Sequence, residues 1–142
     1  MLMSGSMSIN DRPRVTIDDL LREARDLIDR LTPEEAAREA KAGAVLVDTR
    51  CSEDREREGV IPDSVHVLRT LLEWRADPSC DQCDPRIADL GARLIVVCND
   101  GYSSSLAAAN LRRLGFRRAA DLVGGYRAWA AAGLPTLKSC DE

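Results

Sequence analysis

The chain lacks most of the features that would assign it to a special class. No apolar run among its 142 residues approaches membrane-spanning length, which excludes a transmembrane helix. No block or stripe of basic residues occurs and the net charge is −4, which argues against nucleic-acid binding. Met1 to Asn10 has no basic-then-apolar pattern, so no secretory signal is expected and the protein reads as cytoplasmic. Histidine occurs once, at His66, so any chemistry built on several histidines is excluded. Cysteine occurs five times, at 51, 80, 83, 98 and 140, and an odd count argues against a disulfide framework.

What is present fits one compact domain rich in Ala-containing helices. Residues 1–13 read as a flexible tail and residues 14–30 as an N-terminal helix. That helix shows apolar steps of three and four from Ile17 to Leu31, with Thr16 as N-cap and Asp19 in the first turn. Thr32-Pro33-Glu34-Glu35 reads as N-cap, N1 proline and capping-box glutamate of a second helix, running to Lys41 and stopped by Gly43. Leu31 can close a very short strand between the two helices.

The apolar pattern then changes. Ala44-Val45-Leu46-Val47 and Leu94-Ile95-Val96-Val97 are short continuous runs, as expected of strands buried on both faces. Val65 to Leu68 and Ala119 to Val123 are weaker strands. Helical stretches at Ser103–Leu114 and Tyr126–Ala132 alternate with them. The expected fold class is therefore α/β, an open parallel sheet flanked by helices. Asp77 to Pro85 reads as a surface loop.

Cys98 follows a buried strand and precedes a helix. In parallel α/β sheets ligands bind beyond the carboxyl ends of the strands. Free N–H groups at the next helix point there, and successive N–H groups can cradle an anion. Gly101 allows the positive φ that such a curled loop needs. Ser103 and Ser104 can cap the helix or donate from their hydroxyls. A helix N-terminus lowers a thiol pKa, and the thiolate is the nucleophile. Asp100 opposes this unless it faces solvent, as expected. From position alone, a buried structural cysteine is an even competitor.

Four segments in order move that balance. These are Leu46-Val47-Asp48-Thr49-Arg50, Gly59-Val60-Ile61-Pro62-Asp63-Ser64, Cys98-Asn99-Asp100-Gly101-Tyr102-Ser103, and Val123 to Trp129 followed by Gly133-Leu134-Pro135. Together the stretch from Ala44 to Pro135 resembles a rhodanese domain. The resemblance implies a rhodanese-like, doubly wound parallel sheet over residues 31–136, with the first helix as an addition and residues 137–142 as a tail. It implies a sulfurtransferase in which Cys98 carries sulfur as a persulfide between a donor (thiosulfate or a persulfide) and a nucleophilic acceptor. Asn99, Asp100, Gly101, Tyr102, Ser103 and Ser104 would form the substrate-binding loop; apart from the resemblance, Arg50, Arg69 and Trp74 are candidates for the pocket rim, Arg50 also for a structural ion pair. No metal or organic cofactor is implied.

The chain departs from the family pattern at Val60 and Asp63, where His and Gly are usual. Its loop holds no Arg or Lys, so thiosulfate should be held less well than by members that carry one. The related phosphatase loop is one residue longer and ends in Arg; here Ser104, Ser105 and Leu106 follow, which excludes phosphatase chemistry.

The remaining reactive residues read as follows. His66 is structural. Cys51 lies at the same sheet edge as Cys98 and is incidental, or a resolving thiol. Cys80 and Cys83 have zinc-ligand spacing but no second pair, and read as loop thiols or a labile disulfide. Trp129 belongs to the core. The alternatives to an enzyme are a non-catalytic binding module of the same fold and, behind it, a thiol–disulfide protein using Cys80 and Cys83.

Overall fold

The computed structural model describes residues 8–139. Five strands form one parallel sheet in the order β1-β5-β4-β2-β3. They are β1 Asp29–Leu31, β2 Val45–Asp48, β3 Val65–His66, β4 Leu94–Val97 and β5 Ala120–Leu122. The helices are α1 Ile17–Asp26, α2 Pro33–Lys41, α3 Ser52–Glu58, α4 Leu72–Ala76, α5 Ser103–Arg113 and α6 Gly125–Ala131. Among the described residues no helix is long and apolar enough to cross a membrane.

The two continuous apolar runs are the central strands, and they pair along their length from Val45–Leu94 to Asp48–Val97. All four side chains of β4 are fully buried because both of its faces are covered. Leu94 and Val96 pack with Ala24, Ile28, Leu111 and Phe116 on the face of α1 and α5. Ile95 and Val97 pack with Leu31, Ala36, Tyr126 and Trp129 on the face of α2 and α6. Alternation along a pleated strand thus divides one run between two cores.

Local signals set the helix starts. Thr16 with Asp19, and Thr32 with Glu35, each form a complete capping box. The first helix ends sooner than residue 30: the Leu27 N–H turns back onto the Ala24 carbonyl, and residues 29–31 pair with β5 instead. The expected tails also hold structure. Ser8 caps a short 3-10 turn at Ile9–Asp11, and Leu137 exchanges two backbone hydrogen bonds of 2.8 Å with Val60. Residues 1–7 of the expected N-terminal tail, and Cys140, lie outside the described residues.

β2 leads outward to the edge strand β3, and the chain returns to place β4 on the other side of β2. The crevice between the carboxyl ends of β2 and β4 is thus the point where the strand order reverses, the preferred ligand position of such sheets.

Candidate active site

Cys98 follows β4 at that crevice and is 6% exposed. A cavity of about 280 Å3 opens over it, lined by Thr49, Arg50, Cys98, Asn99, Asp100, Tyr102 and Ser103. A larger cleft of about 730 Å3 lies at the opposite end of the strands, around Arg93, and holds no nucleophile.

The loop turns its donors inward. The Gly101 N–H lies 3.1 Å from Cys98 Sγ and the Ser104 N–H 3.4 Å. Its carbonyls turn outward. That of Cys98 accepts from the Tyr126 N–H at 2.8 Å and that of Asn99 from the Arg127 N–H at 3.2 Å. The Gly101 carbonyl accepts from Arg25 Nη2 at 2.9 Å and Arg30 Nη2 at 3.0 Å. The result is a nest of N–H groups around the sulfur.

Glycine is required on both sides of this arrangement. Gly101 has φ +86°, and a Cβ there would stand 2.7 Å from the Gly124 nitrogen. Gly125 has φ +66°, and its Cβ would meet the Cys98 carbonyl oxygen at 2.5 Å. The loop and the start of α6 therefore touch backbone to backbone.

Burial pushes the Cys98 thiol up, but hydrogen bonds from the Ser104 and Ser103 side chains and the Ser104 and Gly101 N–H groups more than offset it, so the thiol is held below its ordinary value. The Ser104 hydroxyl has only one proton. In this geometry it is donated to Asp121 Oδ2 at 2.8 Å. Asp121 is fully buried on β5 and also accepts from the Ser105 hydroxyl at 2.7 Å and from Arg30 Nε at 2.9 Å. Ser104 therefore braces the loop from below, and neither it nor Ser103 caps α5, whose N-cap Tyr102 makes no side-chain cap.

Asp100 does face outward, half exposed, but it is not alone. Arg127 of α6 pairs with it at 2.9 Å and with Glu58 at 2.8 Å. A loop without Arg or Lys thus obtains a cation from outside its own sequence. Asn99 donates to Asp54 of α3 at 2.8 Å, and the Cys51 thiol points to the same carboxylate at 3.4 Å. Those bonds help hold Asp54 below the usual carboxylate range.

Of the three residues expected at the rim, only Arg50 lines the cavity. It is buried, forked onto Asp48 at 2.9 and 3.0 Å, and stacked over the Tyr126 ring at 4.0 Å. Arg69 instead pairs with Glu73 at 2.9 Å. Trp74 lies on the outer side of α4, opposite buried Leu72 and Ala76, beside Cys80. His66 Nε2 is 2.7 Å from the Arg50 carbonyl, a structural contact. Cys51, Cys80, Cys83 and Cys98 are all free thiols, and Trp129 is buried with its Nε1 on the Pro135 carbonyl. Thr49, Arg25, Arg30, Asp121 and Arg127 belong to the site without a local signal, save that Asp121 is a carboxylate inside an apolar strand.

Fold and site define an α/β protein with a cysteine cradled by backbone N–H groups at the switch point of a doubly wound sheet. The chain belongs to the Rhodanese-like domain family, which residues 32–132 match. It is 37% identical to thiosulfate sulfurtransferase GlpE of Pseudomonas savastanoi over 103 residues, 72% of this chain and 87% of that one. The GlpE of Pseudomonas syringae is 40% identical over 100 residues, 70% and 85% of the two chains. Among solved structures, a Rhodopseudomonas palustris protein of unknown function, described as a possible tyrosine phosphatase, aligns with TM-score 0.79 and 30% identity, over 88% of this chain and 98% of that one. The polysulfide-sulfur transferase of Wolinella succinogenes, at TM-score 0.68 and 22% identity over 88% and 89% of the two chains, shares the fold.

Proposed function

We propose that Cys98 transfers sulfane sulfur from thiosulfate to a thiol or other nucleophile. The Cys98 thiolate attacks the outer sulfur of thiosulfate. The sulfur–sulfur bond of the donor breaks, and sulfite leaves with its electron pair. The new terminal sulfur on Cys98 carries the negative charge and sits among the loop N–H groups. An acceptor nucleophile then bonds to that sulfur, and Cys98 leaves as thiolate. No metal and no electron carrier enters this balance.

The observation that carries the reading is the pair of N–H groups on the sulfur of a buried cysteine, in a loop whose Cys98, Asn99 and Gly101 carbonyls are engaged elsewhere. Two further findings support thiosulfate as donor. The relatives bear that activity in their names, and Arg127 offsets the Asp100 charge that would repel a dianion. A phosphatase loop ends in an arginine that binds the phosphate; this loop has none, Arg25 and Arg30 do not line the cavity, and Arg50, which does, is forked onto Asp48. A reducing cytoplasm suits free thiols, and we keep it as the site of action. Steady-state transfer from thiosulfate to cyanide tests the proposal. Wild type should form thiocyanate and Cys98→Ser should not, with its fold intact. Equal rates would overturn it and leave a binding module of the same fold.

A further inference from the structure

The active loop is held from outside the family region, which begins at residue 32. Arg25 lies in the last turn of α1, the helix that packs on α5. Its Nη2 donates to the Gly101 carbonyl at 2.9 Å and its Nε to the Ser105 hydroxyl at 3.1 Å. Its guanidinium also stands 5.5 Å from the Tyr102 ring centre. Two contacts on the loop and one on the first turn of α5 are more than a helix needs in order to dock.

We propose that Arg25 is a positioning residue that anchors the Gly101 carbonyl and so keeps the loop N–H groups on Cys98, which makes the added helix α1 part of the active site. The reasoning is geometric first. In a trans peptide the C=O and the following N–H point in opposite directions. Fixing the Gly101 carbonyl on α1 therefore turns the Tyr102 N–H to the opposite side. It also fixes the residue whose own N–H lies 3.1 Å from Sγ. Glycine at φ +86° would otherwise be the easiest place for the loop to twist.

Charge acts in the same direction. Most ions around the loop lie in direct contact with an opposite charge. Arg30 of β1 is held by Asp121 of β5, Arg127 of α6 by Asp100 and Glu58, Arg50 and Arg55 by Asp48 of β2, and Asp54 of α3 by Arg57. Among the described residues Arg25 has no carboxylate in direct contact and reaches Asp121 only through the Ser105 hydroxyl. Its charge favours an anionic sulfur, in the same sense as the excess charge of Arg50 and Arg55, which share the one carboxylate of Asp48.

The role of Arg25 in turnover rests on the reading of Cys98 as the sulfur carrier, whereas its effect on the thiol does not. The test uses the full chain with Arg25→Gln, Arg25→Lys and, as a control on the exposed side of α1, Arg22→Gln. Iodoacetamide labelling of Cys98 is followed against pH, with the labelled peptide identified by mass, beside thiosulfate loading and thermal melts. Arg25→Gln should raise the labelling midpoint by about half to one pH unit, with a ~3- to 10-fold loss of thiolate below it and of loading rate at neutral pH. Arg25→Lys keeps the charge and one donor and should show about half of that shift. Arg22→Gln should show none. An unchanged midpoint in Arg25→Gln, or equal shifts in Arg25→Gln and Arg22→Gln, would overturn the proposal. If Arg25→Gln does not fold, an unchanged midpoint in Arg25→Lys overturns it. A wild-type protein that takes up no sulfur would sink the sulfurtransferase reading alone, since labelling still reports on the loop.

Discussion

Gly101→Ala should both destabilise the domain and raise the reactive pH of Cys98. Two costs combine. An L residue in the left-handed region loses about 1–2 kcal/mol. The new Cβ would also stand 2.7 Å from the Gly124 nitrogen and 3.1 Å from the Leu122 carbonyl oxygen. These are backbone atoms with little room to yield: the next residue, Val123, donates its N–H to Leu31 at 2.8 Å, and Tyr126 donates to Cys98 at 2.8 Å. The overpacking adds about 1–2 kcal/mol. A total of about 3 kcal/mol lowers the Tm of a domain of this size by roughly 10 °C. The displaced loop withdraws the Gly101 N–H from Sγ. A hydrogen bond to an ionised acceptor is worth about 1.5 kcal/mol at the low end appropriate to sulfur, or about one pH unit in the labelling midpoint. Gly133→Ala separates strain from contact, because Gly133 has φ +77° with nothing within 4 Å of its Cβ position. It should lower Tm by about half as much and leave Cys98 unchanged. Melts by circular dichroism and pH-dependent labelling measure both effects. A Gly101→Ala protein with wild-type Tm and labelling midpoint would refute the reasoning.

Two further outcomes follow from charge. Because the folded Cys98 thiol titrates below its ordinary value, near 9.0, the unfolded chain binds more protons than the folded one between those two values. Wild-type stability should therefore rise relative to Cys98→Ser as pH increases through that window, and the increment should be lost as pH falls through the folded midpoint; paired urea titrations read it, and a flat difference contradicts it. Asp100→Asn should raise the thiosulfate rate only about two-fold at low salt, because Arg127 already offsets Asp100, and the gain should vanish near 1 M salt. A gain independent of salt would mean that Asp100 acts by shaping the loop.

The site's scaffold was legible where local physics dominates. The run Leu94–Val97 could be buried only in a central strand, and Thr32-Pro33-Glu34-Glu35 carries its own helix start. Cys98 at a strand-to-helix turn, followed by Gly101, marked the loop. Other features depend on tertiary partners. The α3 sequence Ser52–Glu58 shows no apolar period, because its one buried side chain is Arg55, turned onto Asp48. Arg25, Arg30, Asp121 and Arg127 reach the loop from four separate elements, so no spacing announces them. Arg69 and Trp74 looked suited to the rim by type, but Arg69, in the 3-10 turn before α4, pairs with Glu73, and Trp74, on α4, lies beside Cys80. Leu137 looked like tail, yet Val60 gives it an antiparallel partner.

Intact-mass measurement after incubation with thiosulfate tests the central claim most directly. The account predicts that wild-type protein gains one sulfur atom, that peptide mapping places it on Cys98, that a thiol acceptor removes it, and that Cys98→Ser gains none. Sulfur loaded equally on Cys98→Ser, or found on Cys51, Cys80 or Cys83 instead, would contradict it.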